Sequence, residues 1–137
     1  MDRMCEAELA RIIINDAMDQ QQIWVREKGG GREFPIVIGV PEALAIDRFV
    51  KEIETPRPMT HELLFNVLQA LDAKILRVEI TALRDATFHG NLVLIGVDGR
   101  EVDVDARTSD AIALAVRSGA ALFVHEDVLD EASRDIS

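Results

Sequence analysis

The stretch VDVDARTSDAIAL, residues 102–114, contains the pattern that decides the fold. It is typical of a short strand, a turn, and a helix that begins with an acid followed by alternating alanine and aliphatic residues. Residues 35–46, PIVIGVPEALAI, show the same order, and the two helix-opening acids, Glu42 and Asp110, stand 68 residues apart (110 − 42). We interpret the match as an internal duplication, in which each half of the chain forms three strands followed by a helix.

Hydrophobic periodicity predicts the remaining elements. The predicted strands cover residues 9–16, 22–27, 33–39, 74–81, 88–95, 100–105 and 121–124, and the predicted helices cover residues 42–53, 61–71, 109–117 and 126–132. Thr60 is the expected N-cap of the second helix, and Gly119 is the expected residue that ends the third. Together these elements predict an α+β domain, with a mixed or antiparallel sheet packed against helices. We expect one domain over residues 1–137, with a core over about residues 9–130.

Composition favours a soluble cytoplasmic protein. Hydrophobic residues make up 48% of the 137 residues and charged residues 29%, which suits a packed core in water. No apolar run approaches the roughly 20 residues that a membrane helix needs, so no membrane partner is expected. The start of the chain lacks the basic and then uninterrupted apolar pattern of a signal peptide. The single cysteine, Cys5, is placed near an end that we expect to fray, and it suits a reducing compartment.

Net charge is evidence against simple electrostatic binding of nucleic acid. The chain has 25 acidic and 15 basic residues, a net charge of −10 and a pI of about 4.7. Such a chain repels polyanions at long range, whereas attraction to phosphates supplies most of the non-specific affinity for nucleic acids. A nucleic-acid role would therefore need a local arginine cluster or a bound divalent cation.

The first candidate site lies in PRPMTHEL, residues 56–63. Its prolines and Thr60 fit an ordinary helix start, and Glu62 in the first turn suits the helix dipole. Arg57 and His61 are not needed for that role. They suggest an anion site, with Arg57 and free N–H groups facing a phosphate and His61 as acid–base. The residues by themselves fit both explanations.

The second candidate site follows the strand of the opening stretch. Asp103 and Asp105 share one face of that strand at roughly 6.5–7 Å, and Asp110 opens the next helix. Carboxylate oxygens of this kind suit Mg²⁺ or Mn²⁺, and two such ions can drive phosphodiester hydrolysis. The alternative is that Asp103 and Asp105 form the solvated face of a strand whose Val102 and Val104 face the core.

Three motifs in register resemble the bifunctional nuclease domain family, as a bacterial single-domain member. They are FPIVIG with EALAI (residues 34–39 and 42–46), RPMTHEL (57–63) and DARTSDAIALA (105–115). The likeness extends over about residues 9–130. The sequence departs from the family pattern at Val37, Thr108, Glu62 and His89, where that pattern has Trp, Pro, Asp and Tyr. Losing the aromatic residues at Val37 and His89 removes surfaces on which bases can stack.

The resemblance implies a duplicated α+β domain, often dimeric, that cleaves DNA and RNA. Carried onto this chain, it implies that Glu62, Asp105 and Asp110 hold Mg²⁺ or Mn²⁺. It also implies that His61 positions the water or protonates the leaving oxygen, and that His61 and those three acids form the catalytic set. The implied substrate-binding residues are Arg57, Thr60, Arg107 and Ser109, with the two arginines on phosphate. The alternative is a non-catalytic binding or regulatory module for a small anionic ligand or a protein partner.

Overall fold

The three-strand-plus-helix unit occurs twice in the computed structural model, which describes residues 3–15 and 17–134. The first unit is β1 (Met4–Ile13), β2 (Gln20–Glu27), β3 (Glu33–Gly39) and α1 (Val40–Val50). The second is β4 (Lys74–Arg84), β5 (Thr87–Ile95), β6 (Glu101–Arg107) and α3 (Thr108–Ser118). Helix α2 (Thr60–Ala70) joins the units, and β7 (Ala121–His125) and α4 (Glu126–Arg134) follow them. The predicted α+β fold and its duplication are thereby confirmed.

All seven strands of the described residues belong to one mixed sheet, in the order β3-β2-β1-β7-β4-β5-β6. Each unit contributes an antiparallel meander, because its strands are joined by short connections. Strand β7 lies between the units, antiparallel to β1 and parallel to β4. The two units are therefore joined through a strand that belongs to neither.

The sheet is curled, and its concave face surrounds one hydrophobic core. Phe34 of β3 is fully buried and stacks on Phe88 of β5, with ring centroids 5.3 Å apart, although these strands are far apart in the sheet order. Helix α3 packs between the units and buries residues 108–109 and 111–115, a run that only Asp110 interrupts. The alanines of the repeated pattern, Ala43 in α1 and Ala111 and Ala113 in α3, are at most 1% exposed and allow close helix–sheet packing.

Strand β1 begins earlier than predicted, at Met4 rather than residue 9, and the predicted end at Asp16 lies outside the described residues. The expectation that Cys5 lies near a frayed end is wrong, because Cys5 pairs with Val124 of β7. Its thiol donates a 2.8 Å hydrogen bond to the Glu126 carboxylate, and that bond and burial raise the pKa of Cys5. The thiol is therefore not activated.

Two local expectations are also wrong. Thr60 is the first helical residue of α2 and not its N-cap; the N-cap is Met59, and no side chain caps it. In β4 the predicted alternation breaks at a bulge between Ile75 and Arg77, which leaves Leu76 exposed while Val78 is fully buried. A bulge inserts one unpaired residue, so a strict two-residue period cannot predict it.

Helix α2 has the predicted amphipathic pattern but buries none of its residues. Its neighbours are the α3 helix on one side and an open groove on another, so much of its apolar surface faces solvent. The side chains at four-residue spacing that we call the α2 stripe are more than two-fifths exposed: Met59, Leu63, Val67 and Leu71. In the described residues no helix is long and apolar enough to cross a membrane.

Candidate active site

The N-terminal turns of α2 and α3 meet, and this contact builds the site. His61, the second residue of α2, forms a 2.8 Å hydrogen bond through Nε2 to Oδ1 of Asp110, the third residue of α3. Both side chains are mostly buried, with 14% and 27% exposed. An ionised carboxylate only accepts hydrogen bonds, so Nε2 carries the proton. In the neutral ring, Nδ1 is then the nitrogen that can accept a proton.

Arg107 holds the other side of the same carboxylate. Its Nε donates to Oδ2 of Asp110 at 2.8 Å, and its Nη2 donates to Oδ1 at 3.1 Å, so the pair is bidentate. Oε2 of Glu42 lies 4.0 Å from the same Nη2. His61, Arg107, Asp110 and Glu42 thus form one linked cluster across three helix entrances.

Glycine at position 90 permits the approach of β5 to the start of α3. A Cβ atom at Gly90 would lie 2.9 Å from the carbonyl oxygen of Ala106 and 3.2 Å from Cα of Thr108, both backbone atoms. A side chain there would displace the β6–α3 junction that carries Arg107. The Oγ1 of Thr108, at the position where the family motif has proline, is buried without a hydrogen-bond partner.

Asp110 is held in its ionised form. Burial opposes ionisation, but the hydrogen bonds from Arg107 and His61 outweigh burial and hold the pKa of the Asp110 carboxyl below its ordinary value. The Asp110 hydrogen bond in turn raises the pKa of Arg107. At neutral pH the cluster therefore contains a carboxylate fixed between a guanidinium and an imidazole.

Replacing Asp110 by asparagine should cost stability in a pH-dependent way. With the pKa of Asp110 lower in the folded than in the unfolded chain, its stabilisation is complete above the unfolded value of roughly 3.9. The stabilisation is lost as the pH falls through the lower folded pKa. The free energies of unfolding of wild type and Asp110→Asn can be measured with urea from about pH 7 to about pH 3. The difference between the two proteins should become smaller as the pH falls. If this difference in the free energy of unfolding did not change with pH, the ionised carboxylate of Asp110 would not be its cause.

The cluster opens onto a groove of about 790 Å³ between α1, α2, β5 and β6. Aliphatic side chains form the floor of this groove, and the site residues line its rim. The floor consists of Leu64, Leu68, Leu92, Leu94, Val104 and Leu114. A second cavity of about 650 Å³ lies on the other side of His61, between the end of α1, the α1–α2 loop and α3. His61 thus borders two concave surfaces.

Glu62 lies apart from the other predicted acids. Both of its carboxylate oxygens accept hydrogen bonds at 2.9 Å from Nε of Arg117, which also lies 4.3 Å over the ring of Phe65. Glu62 lines the second cavity, and the larger groove is lined by His61, Thr60, Arg107 and Asp110. Glu62 and Asp110 therefore flank His61 on different sides.

Asp105 borders the groove, but its side chain belongs to the opposite sheet face. Val104 pairs with Leu92 and Asp105 pairs with Asn91. Because successive side chains of a strand alternate, Val104 faces the groove and Asp105 faces away from it. The solvated-face alternative therefore holds for Asp103 and Asp105, which are exposed. Its other half is wrong, because Val102 and Val104 are also exposed and do not face the core.

Two further predicted residues are not brought into the groove. Ser109 is 7% exposed in the packed start of α3, where it has no surface to offer a substrate. Arg57 is exposed in the loop between α1 and α2 and lines neither cavity.

The acids do not form a ready metal site. In residues 3–15 and 17–134 no group of three or more His, Cys, Asp or Glu side chains gathers closely enough to hold a metal ion. Glu62 and Asp110 are each engaged by an arginine, and Asp105 faces away. The predicted ligand set of Glu62, Asp105 and Asp110 therefore does not fit Mg²⁺ or Mn²⁺ in this arrangement.

Sequence reasoning missed Glu42 and Arg48. Glu42 occupies in α1 the position that Asp110 occupies in α3, so the internal repeat already contained the signal. Arg48 lines both cavities, but it lies at the end of α1 in a region with no motif. Its place follows only from the packing of α1 against α3, which no local pattern encodes.

Comparison with known proteins agrees with the motif likeness. The chain is 36% identical over 129 residues to the uncharacterized proteins MT1877 and Rv1829 of Mycobacterium tuberculosis, from strains CDC 1551 / Oshkosh and ATCC 25618 / H37Rv. The alignments cover 94% of this chain and 76% of each relative. A sequence model described as the bifunctional nuclease domain matches residues 23–137. The chain therefore belongs to the bifunctional nuclease domain family.

Proposed function

We propose that this protein hydrolyses phosphodiester bonds of DNA and RNA at the groove beside His61. The observation that carries the proposal is the hydrogen-bonded arrangement of His61, Asp110 and Arg107 at the rim of that groove. This arrangement supports the proposal, because a proton acceptor beside a cation in a concave surface suits phosphoryl transfer. Membership of the family supports the same reaction class.

Each member of the cluster has a distinct part in the reaction. Nδ1 of neutral His61 accepts a proton as the water oxygen bonds to phosphorus, and Asp110 orients the ring and stabilises the imidazolium that forms. The P–O bond to the leaving oxygen breaks, and that oxygen takes up a proton from the imidazolium or from water. Arg107 uses two of its five N–H groups on Asp110, which leaves three for phosphate oxygens. The Arg107 side chain is 66% exposed, so a phosphate can reach it.

No step is assigned to a metal ion, because the carboxylates do not form a three-ligand site. Dependence on Mg²⁺ or Mn²⁺ stays a prediction, which cleavage in EDTA and in added Mn²⁺ tests directly. Cytoplasmic location, expected from the single unpaired cysteine, likewise stays a prediction.

The decisive experiment is cleavage of labelled single-stranded DNA and RNA by wild type and by His61→Gln, purified in the same way. Loss of cleavage in the variant supports the site. Equal cleavage by both proteins would identify a contaminating nuclease and contradict the proposal.

A non-catalytic binding module is the second candidate, favoured by the net charge of −10 and the aliphatic floor of the groove. In that function the groove binds a small anionic ligand or a protein partner without turnover. It predicts that wild-type protein leaves both nucleic acids intact while still binding an anion, and that Arg107→Gln abolishes this binding.

We also propose a homodimer formed through the α2 stripe. The stripe contains no charged side chain, and Met59, Leu63, Val67 and Leu71 are all substantially exposed. In a two-fold interface the same patch faces itself, so an uncharged patch avoids like-charge repulsion between two chains that each have a net charge of −10. The second copy therefore fits this face better than it fits the acidic remainder of the surface.

Leu63→Glu should convert the dimer to monomer. Two glutamates would face each other near the two-fold axis, where like charges cost several kcal/mol. Sedimentation velocity should show wild type as a dimer and Leu63→Glu as a monomer. Val97→Glu is the control, because Val97 is 78% exposed in the turn between β5 and β6, outside the stripe. A Leu63→Glu protein that remains dimeric would contradict this interface.

A further inference from the structure

The groove and the second cavity share four lining residues: Ala45, Arg48, Met59 and His61. They are therefore adjoining depressions that meet at His61, with volumes of about 790 and 650 Å³. Either one falls in the range of a small-molecule site, roughly 300–1,000 Å³. Together they offer room for a substrate that continues on both sides of His61.

Arg48 lies at this junction without an ion-pair partner among the described residues, although Glu52, Glu54 and Glu62 also line the second cavity. Most arginines of the chain form ion pairs, including Arg107 and Arg117 on either side of it. In the part of the chain that the structure describes, the arginines without an ion-pair partner are Arg48, Arg57 and Arg84. Of these three, Arg48 lines the groove and the second cavity, and Arg57 and Arg84 line neither.

A half-buried guanidinium without a carboxylate partner is unusual in a chain with ten more acids than bases. Burial of a charge is unfavourable unless the charge is paired. An anion that enters the junction would supply the missing partner. A guanidinium can hold a phosphate with two parallel hydrogen bonds.

We infer that Arg48 binds a phosphate flanking the one that is cleaved, so that a single nucleic-acid strand crosses both cavities past His61. This inference rests on the proposed function. It adds Arg48 as a binding residue and single-stranded nucleic acid as the form of the substrate. The aliphatic floor of the groove favours a single strand, because only an unpaired base can lay its face on apolar side chains. A duplex keeps the faces of its bases stacked inside and exposes only base edges, sugars and phosphates.

The test measures binding and not cleavage. Fluorescence anisotropy with a labelled oligothymidylate in EDTA compares Arg48→Gln, Arg48→Lys and Arg84→Gln, all in the His61→Gln background to prevent turnover. Arg84 is the matched control, since it is exposed, unpaired and outside both cavities.

Arg48→Gln should weaken binding about tenfold or more, as expected for the loss of a charge-assisted hydrogen bond. It should also reduce the salt dependence of binding by about 0.7 in log–log slope, the loss of one phosphate contact on a single strand. Arg48→Lys should keep that slope, and Arg84→Gln should change neither quantity.

The inference is overturned if Arg48→Gln and Arg84→Gln bind alike, or if a duplex of the same sequence binds as tightly as the single strand. Its failure can be told apart from failure of the proposed function. If Arg48→Gln weakens binding but the wild-type protein does not cleave nucleic acid, the proposed hydrolysis is refuted and the role of Arg48 stands. If His61→Gln abolishes cleavage but Arg48→Gln does not change binding, the role of Arg48 is refuted and the proposed hydrolysis stands.

Discussion

Replacing His61 by glutamine should lower the rate of nucleic-acid cleavage by about 10²–10⁴-fold, the usual contribution of a positioned acid–base group. Glutamine keeps an N–H donor for Asp110 but has no nitrogen that accepts a proton at neutral pH. The fold should be preserved, because the glutamine side chain can keep the hydrogen bond to Asp110 from the same mostly buried position. Single-turnover cleavage of labelled RNA and DNA, with protein in excess, isolates this step from product release.

His125→Gln is the control for that experiment, because His125 lies at the end of β7, away from both cavities. It should cleave at the wild-type rate. Asp110→Asn should lie between wild type and His61→Gln, since it removes the charge that stabilises the imidazolium but leaves the imidazole. A His61→Gln protein within twofold of wild type would remove His61 from the chemistry.

Truncating Phe34 to alanine should have the largest effect on stability, about 3–5 kcal/mol in the free energy of unfolding. The side chain is fully buried and stacks on Phe88, so its loss leaves a cavity where the two repeats meet. Domains of this size are stable by about 5–15 kcal/mol, so a substantial part of the total is at stake. Urea unfolding followed by circular dichroism measures the change.

Val37→Ala is the matched control on the same strand, where Val37 is 55% exposed, and it should change stability by about 0.5 kcal/mol or less. A double-mutant cycle with Phe88→Ala should give a coupling energy of about 0.5–1.5 kcal/mol for the stacked pair. Equal losses for Phe34→Ala and Val37→Ala would contradict the curled core.

The repeat and most elements were predictable because their signals are local. Alternation in β2 and β3 and the Gly119 helix end depend on neighbouring residues only. The bulge at Leu76 was not predictable, because one inserted residue depends on how two strands pair. The position of β7 was not predictable either, since its partners β1 and β4 are distant in sequence.

The site was partly predictable for the same reason. The motifs indicated His61, Arg107 and Asp110, which the structure places in contact across 49 residues of chain. They could not reveal that Arg117 engages Glu62, or that Asp105 faces away from the groove. The direction of Asp105 depends on which face of the sheet each residue of β6 takes, and the ion pair of Glu62 depends on how α2 packs against α3. The pattern in α2 likewise shows an apolar stripe without showing which surface covers it.

The position of β7 has a consequence for synthesis on the ribosome. The edge of β1 that pairs with β7 is complete once Ile13 has been made. Strand β7 begins only at Ala121, 108 residues later (121 − 13). At roughly 5–20 residues per second, that edge waits about 5–20 s without its neighbour. An open strand edge is a template for pairing with other chains. Translation speed through the second repeat should therefore influence how much of this protein is recovered folded.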